Sequence, residues 1–216
     1  MTTRLQLALD ASAGSASVAL FADGTLVQSE HIDRKGSAEL LAPTVARLLT
    51  AARCQARELT DVIVGAGPGS FTGLRVAAAF GKGLARGASA RLHAVPSLPL
   101  IAAADPDAPI GVYFTVLDAL RGEWFMQAVA RHNATRWEVL GPMERLRIAT
   151  VHERAAVAGA TIVGPPVDVT QQPHARAALI IGAVPVALDA WEPDYGRLAE
   201  AQVVWETTHA RPLPSA

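Results

Sequence analysis

Residues 64–83 read VGAGPGSFTGLRVAAAFGKG, and this stretch predicts a strand, a glycine loop and a helix in succession. The apolar run at 61–66 has the length of a buried strand, and the Ala-rich pattern after the loop is typical of a helix. The glycines between them are Gly67, Gly69 and Gly73. Such a loop brings backbone N–H groups together at a helix N-terminus, where an anion or the backbone of another chain can approach closely.

The loop does not match the two common nucleotide-binding motifs. A P-loop requires Gly-Lys-Ser/Thr after its glycines, and no such triplet follows here. The dinucleotide fingerprint requires a third glycine, but the chain has Ser70 after Gly65 and Gly67. The sequence shows no acid–base partner for Ser70 either, so nucleophilic catalysis is not indicated.

Two larger side chains beside the loop each allow two interpretations. Arg75 lies one turn into the helix, where it can reach an anion held by Ser70, Phe71 and Thr72 or pair with a surface acid. Phe71 can fill the core or serve as a stacking platform. The sequence leaves both pairs of alternatives open.

The helix predicted at 74–87 has an almost bare side, because seven of its positions are alanine or glycine. Each interior glycine costs about 0.5–1 kcal/mol relative to alanine. Close approach of another element would offset that cost. The chain's own sheet and a helix of a neighbouring subunit are both candidates.

Composition limits the classes of function. Of the 216 residues 50% are hydrophobic and 18% charged, and the net charge is −1. A chain without net positive charge has no overall field to attract nucleic acid, and its low charge favours oligomerisation. A single cysteine, Cys54, excludes an internal disulfide. No signal peptide or membrane-spanning run is predicted, so we expect a soluble, cytoplasmic protein.

The patterns along the chain predict an α/β protein with two lobes. Three strands form a meander before a helix at 37–53, in which Pro43 is expected to bend the second turn. Ser97 can cap a short helix that ends at Ala104. The linker at 105–109 is rich in proline and acid. More strands are predicted after it, at 110–117, 123–130 and 136–140. The predicted divisions are a first lobe at 1–104, a second lobe at 105–190, and a C-terminal segment at 191–216 that returns to the first lobe.

Asp10 and Ser12 are the candidate residues for nucleotide chemistry. Asp10 ends the first strand and precedes a turn of small residues, the place where actin-like ATPases carry the aspartate that organises their metal-nucleotide. The two residues can be the relic of a nucleotide pocket, or a turn whose side chains bond their own backbone. The six histidines show no metal-ligand spacing, so no metal site is predicted.

Five segments together resemble the TsaB (YeaZ) family, which takes part in making threonylcarbamoyladenosine in tRNA. They lie at 7–12, 34–43, 65–75, 118–123 and 193–197. The third segment matches the family signature Gly-x-Gly-Pro-Gly-Ser-Phe-Thr-Gly-x-Arg through Gly65, Gly67, Pro68, Gly69, Ser70, Phe71, Thr72, Gly73 and Arg75. Two departures are Gly36, where many members have histidine, and Leu120, which interrupts an Asp-Ala-Arg turn.

The resemblance implies an actin-like ATPase fold (ASKHA, ribonuclease-H-like) in which each of two lobes has a mixed sheet flanked by helices. It implies a non-catalytic scaffold subunit that pairs with its paralogue TsaD for threonylcarbamoyl transfer to adenosine in tRNA, the t6A modification. The ATPase TsaE joins the complex, and the scaffold contacts tRNA mainly through this complex. ATP, threonine and bicarbonate are used by partner enzymes, and the scaffold has no cofactor or metal of its own.

The resemblance also places the TsaD interface on the first two helices, which can self-associate into a homodimer. The residues expected there are Leu40, Thr44, Arg47, Leu74, Ala77, Ala78, Gly81 and Ala85. The alternative function is an active actin-like ATP-dependent phosphotransferase that uses Asp10 and the Gly67–Gly73 loop. A peptidase, a label given to relatives of this fold, has no nucleophile or metal constellation in the sequence to support it.

Overall fold

Two mixed β-sheets organise the chain, and the computed structural model describes residues 3–33, 37–196 and 208–209. The strands are β1 (Leu5–Asp10), β2 (Ala16–Ala22), β3 (Thr25–Ile32), β4 (Asp61–Gly65), β5 (Arg91–Val95), β6 (Gly111–Asp118), β7 (Glu123–Arg131), β8 (Trp137–Val139), β9 (Glu144–Arg147), β10 (Thr161–Val163) and β11 (Val184–Pro185). The α-helices are α1 (Leu41–Ala51), α2 (Phe71–Ala88), α3 (Ser97–Ala103), α4 (Ile148–Ala158) and α5 (Ala178–Ile181). Short 3-10 turns lie at Ser37–Leu40, Ala56–Glu58 and Ala175–Ala177.

The first sheet has the strand order β11-β5-β4-β1-β2-β3. β1, β2 and β3 form the predicted antiparallel meander, while β4 and β5 run parallel to β1. Both faces of its centre are covered, because Leu7 and Leu9 of β1 pack with α1 and α2, whereas Ala8 packs with α3 and the turn before α5. Successive side chains of a strand point to opposite faces, so this sheet has a helical layer on each side.

The second sheet has the order β10-β6-β7-β8, and β9 pairs with another part of β7. β6 and β7 form an antiparallel hairpin, and β10 lies parallel to β6. α4 covers one face of this sheet through Val151 and Ala155, which pack on Val116 and Trp124.

α3 lies between the two sheets and belongs to both cores. Leu100 packs among residues of the first sheet, while Leu98 and Ile101 pack with Phe125 and Val129 of the second. Leu98 and Leu100 are each 0% exposed, which shows how fully this seven-residue helix is enclosed. The lobes therefore share a buried element as well as the linker.

The linker at 105–109 is fastened by Arg131, the last residue of β7. Its buried guanidinium donates hydrogen bonds to the carbonyls of Ala108 and Pro106, the latter at 2.7 Å, and it lies over the ring of Trp137. One side chain of the second sheet therefore holds the backbone that joins the lobes.

Four details differ from the sequence prediction. α1 begins at Leu41, so Pro43 lies in its first turn and not in its second, and a missing N–H there breaks no helical hydrogen bond. α2 begins at Phe71, three residues before the predicted start, because Ser70 caps it. β9 was not predicted. β11 pairs with β5, so the chain returns to the first sheet before residue 190, where the second lobe was expected to end.

Candidate functional site

The glycine loop lies between β4 and α2 and is covered by the turn that joins β1 to β2. The amide of Ser70 donates to the carbonyl of Ser12 at 2.6 Å. A Cβ on Gly69 would overlap the same carbonyl, and one on Gly73 would overlap the carbonyl of Ala11. The backbone that approaches these glycines is thus the chain's own. The Gly67–Pro68 peptide bond is cis.

The C-terminal part of the chain covers the other side of the loop. The amide of Asp194 donates to the carbonyl of Ala66 at 2.8 Å, and a Cβ on Gly67 would overlap the carbonyl of Asp194. Pro193 is buried beside them. The predicted return of the segment at 191–216 can be followed as far as residue 196. Arg197, and residues 34–36 of another motif segment, lie outside the described residues.

Asp10 is fully enclosed, and its carboxylate is occupied by hydroxyl and amide donors. Oδ1 accepts from the amide of Ser12 at 2.9 Å and from its hydroxyl at 2.7 Å, while Oδ2 accepts from Ser97 at 2.6 Å. Burial raises the pKa of Asp10 despite these hydrogen bonds, which act in the opposite direction. A Cβ on Gly65 would overlap this carboxylate, so Gly65 is required beside it.

Ser97 is the residue at this site whose role the sequence did not reveal. It does not cap α3, because the N-cap position is Pro96, and its side chain is fully buried. Its hydroxyl donates to Asp10 and accepts from the amide of Gly67 at 3.0 Å. Ser97 therefore links the end of β1 to the glycine loop.

A cleft of about 590 Å³ opens between the lobes beside the β1–β2 turn. The first lobe contributes Ser12 and Ser70, and the second contributes Asp118, Leu120 and Trp124. Among the described residues that line it there is no lysine or arginine, and its one charged group is the Asp118 carboxylate. Asp118 accepts a hydrogen bond from the amide of Leu120 at 2.8 Å. The described part of the lining therefore supplies none of the cations that a polyphosphate requires.

Arg75 and Phe71 form a surface stack with the C-terminal segment. The guanidinium of Arg75 lies 4.0 Å from the centre of the Phe71 ring, and the Phe71 and Tyr195 rings are 4.4 Å apart. Of the alternatives for Phe71, the structure shows the stacking platform, occupied by the chain's own residues. Arg75 contributes to holding the segment on the loop.

Most residues expected at the partner interface instead pack inside the chain. Leu74 and Ala77 are 0% exposed and Ala85 is 1% exposed. A Cβ on Gly81 would overlap Val64 of β4, so the helix approaches its own sheet through this glycine. Ala78 and Thr44 are also buried, Leu40 is half-buried, and Arg47 is exposed and ion-paired with Glu30. The five α2 positions expected at the interface are therefore all buried within the chain.

The open face of α2 lies on its opposite side, and its small residues were counted in the bare side predicted from the sequence but not among the interface residues. Ala79, Gly83 and Gly87 are exposed, and a Cβ on either glycine would meet no atom of the described residues within 4 Å. With Phe80, Leu84, Ala88, Ala56 and Arg57 they line a shallow groove of about 550 Å³. The spacing of four residues between its exposed small positions was the available signal. We call this surface the open α2 face.

Neither a metal-binding cluster nor a membrane-spanning helix occurs among the described residues. They contain no group of three or more histidine, cysteine or carboxylate side chains placed to hold a metal ion. Of the helices they form, none combines the length and apolarity needed to cross a bilayer.

Comparison with known proteins gives consistent matches. A family model described as TsaD: tRNA N6-adenosine threonylcarbamoyltransferase matches residues 30–143. The tRNA threonylcarbamoyladenosine biosynthesis protein TsaB of Escherichia coli K12 is 29% identical over 68% of this chain and 64% of its own. The Bacillus subtilis TsaB is 31% identical over 54% of this chain and 51% of its own. The matched part thus spans less than two thirds of either relative.

Solved structures show the fold. YeaZ from Pseudomonas aeruginosa superposes with a TM-score of 0.72 at 23% identity, over 89% of this chain and 99% of its own. The actin-like two-lobe fold predicted from the sequence is confirmed, and so is the resemblance to TsaB (YeaZ).

Proposed function

The chain belongs to the family of TsaD, the tRNA N6-adenosine threonylcarbamoyltransferase, and from this premise we propose that it is a non-catalytic scaffold subunit for threonylcarbamoyl transfer to adenosine in tRNA. Its curated relatives are named as tRNA threonylcarbamoyladenosine biosynthesis proteins, which supports a place in that pathway. The proposed partner is TsaD, with TsaE joining the pair. ATP, threonine and bicarbonate are consumed by the partner enzymes.

The observation that carries the proposal is the enclosed carboxylate of Asp10. An aspartate that organises a metal-nucleotide must present its oxygens to the cleft. Here both oxygens accept hydrogen bonds from Ser12 and Ser97, and the side chain is buried behind Gly65. In this arrangement Asp10 is a structural residue that connects β1 with the glycine loop.

The charge of the inter-lobe cleft supports the same conclusion. A bound triphosphate requires cations or free backbone amides around it. The described residues lining this cleft include Asp118 but no lysine or arginine. The amide of Ser70, at the start of α2, is already bonded to Ser12. The relic pocket therefore disfavours ATP, and the activity belongs to the partner.

The open α2 face is the proposed docking surface for a TsaD helix. Its exposed glycines allow the backbone of a second helix to come close, and Phe80 and Leu84 give the groove an apolar floor. In the absence of TsaD, a second copy of this chain can use the same face and form a homodimer.

The test is reconstituted transfer of the threonylcarbamoyl group to tRNA, with ATP, threonine, bicarbonate and the partner enzymes supplied. We expect the purified chain alone to transfer nothing and to hydrolyse no ATP, and we expect TsaD to become more active when the chain is added. Transfer or ATP turnover by the chain alone would refute the scaffold role.

The interface is tested by measuring the affinity of TsaD for an Ala79→Arg variant. A guanidinium in the groove loses its hydration when a partner docks, so TsaD binding should weaken about tenfold, which corresponds to about 1.4 kcal/mol. Val157→Arg is the matched control, because Val157 lies on α4 of the second lobe and is 91% exposed. Equal binding by the two variants would place the interface elsewhere.

A further inference from the structure

A second cavity of about 590 Å³ lies where the chain crosses between the lobes. The outward connection, which leaves α3, lines it through Ala104 and Asp105, and the return connection lines it through Gln172 and His174. The guanidinium of Arg176 donates to the carbonyl of Ala104 and so ties the two connections together. We call this space the hinge cavity.

Two imidazole rings that are distant in sequence form one side of the hinge cavity. His31 comes from the end of β3, and its ring centre is 5.7 Å from that of His174, with the planes tilted by 31°. Ile101 and Val163 form an apolar floor. The cavity thus combines aromatic and aliphatic surface, which is typical of sites for small organic molecules.

The two rings carry no charge near neutral pH. Nδ1 of His174 accepts a hydrogen bond from the amide of Arg176 at 3.1 Å, so the ring proton lies on Nε2. Burial lowers the pKa of His174 to about 4, with further contributions from Arg176 and His31. Burial also lowers the pKa of His31. The rings therefore offer stacking surfaces and a ring N–H donor.

The remaining polar groups favour an uncharged ligand. Asp105 and Arg176 carry opposite charges at the rim, so neither an anion nor a cation is selected. The Nε2 group of Gln171 supplies a donor, and the hydroxyl of Thr161 supplies a donor and an acceptor. The other amide groups are already bonded within the chain, because Oε1 of Gln171 accepts from the amide of Gly164, while Gln172 accepts from the hydroxyl of Ser15 and donates to the carbonyl of Val169. Such a set can pair with the edge of a planar ring that carries both kinds of group.

We propose that the hinge cavity binds a small uncharged heteroaromatic molecule of nucleoside size, stacked on the imidazole rings and hydrogen-bonded by Gln171 and Thr161. Its volume lies within the range of about 300–1,000 Å³ that is usual for small-molecule pockets. The ligand contacts both connections between the lobes and thereby restrains their relative movement. This proposal is independent of the scaffold role.

Adenosine and cytidine are the probes, titrated into the full chain and followed by calorimetry and by the imidazole NMR signals. We expect saturable binding of at least one nucleoside, shifts of the His31 and His174 signals, and slower hydrogen exchange in both connections. Inorganic phosphate and threonine, which are charged, should produce none of these changes. Failure of both nucleosides to bind saturably would overturn the proposal.

A Thr161→Trp variant shows whether the nucleoside binds in the hinge cavity or in the inter-lobe cleft. Thr161 is exposed at the cavity rim, so an indole there obstructs the cavity without disturbing the core, and nucleoside affinity should fall about tenfold or more. Thr25→Trp is the matched control, because Thr25 is an exposed strand residue that does not line the cavity. Unchanged affinity in a folded Thr161→Trp variant would overturn the proposed location.

Discussion

The Asp10 carboxylate illustrates how far single residues can be predicted. Ser12 lies two positions further along the chain, and the chemistry of such turns predicts its hydrogen bonds to Asp10. The third donor, Ser97, is 87 positions away and reaches Asp10 only because β5 ends near the loop. Local patterns therefore predicted two of the three hydrogen bonds to Asp10, and the third depends on strand order, which they do not contain.

His174 should make the stability of the chain depend on pH. The pKa of this ring falls from 6.5 to about 4 on folding. As the pH decreases below 6.5, the unfolded chain binds a proton that the folded chain resists. The free energy of unfolding therefore declines until the pH reaches about 4. Asp61, whose pKa is also lowered, starts to contribute only near its ordinary value of 3.8, so the two effects occupy different pH ranges.

The corresponding experiment uses His174→Asn, because asparagine can still accept the hydrogen bond from Arg176. Between pH 6.5 and about pH 4.5, urea unfolding should show that the variant loses about 1–2 kcal/mol less than the original chain. Parallel pH profiles for the two proteins would contradict the assigned role of the buried imidazole.

At the scale of the element, α2 shows why composition did not reveal which side is free. Alanine and glycine occur on both sides of this helix, so its open and buried faces look alike in the sequence. The structure separates them, because Gly81 contacts β4 whereas Gly83 faces open space. The sequence correctly predicted that another element comes close to α2 through its glycines. The two candidates were the chain's own sheet and a helix of a neighbouring subunit, and on the buried side the structure shows the sheet.

The two glycines should respond in opposite ways to the same substitution. Gly83→Ala should raise the free energy of unfolding by about 0.5–1 kcal/mol, since the methyl group meets none of the residues that the structure describes and the helix gains propensity. Gly81→Ala should lower it by about 1–3 kcal/mol, because the methyl group overlaps Val64. Urea unfolding of both variants provides the measurement, and each serves as the control for the other. A stabilised Gly81→Ala would mean that α2 can move away from β4.

For the whole molecule, the predicted two-lobe organisation is confirmed, but the path of the chain between the lobes was only partly anticipated. Proline and acid at 105–109 predicted a linker, and the structure has neither a helix nor a strand there. Val184 and Pro185 gave no sign of a strand, because a two-residue edge strand has no periodicity to detect. The hinge cavity could likewise not be predicted from the sequence, since it depends on the fold bringing His31 close to His174.

Arg131 should control the stiffness of the connection between the lobes. Arg131→Met keeps most of the side-chain volume but removes the donors to Pro106 and Ala108, and their carbonyls lose their partners. We expect a loss of about 1–3 kcal/mol in the free energy of unfolding and faster hydrogen exchange at 104–109. Arg136→Met, at an exposed position in the turn before β8, is the control. Unchanged exchange in the linker would show that it is held by other contacts.

The hydrogen bond from Asp194 to Ala66 also has a consequence for the order in which the first lobe is completed during synthesis. The ribosome makes the first ninety-five or so residues early, and they contain five of the six strands of the first sheet. Yet the glycine loop gains its last backbone partner, and β5 its outer neighbour, only from residues translated near the end. The lobe begun first is therefore completed last, and a nascent chain halted before residue 184 exposes an unpaired strand edge that invites aggregation.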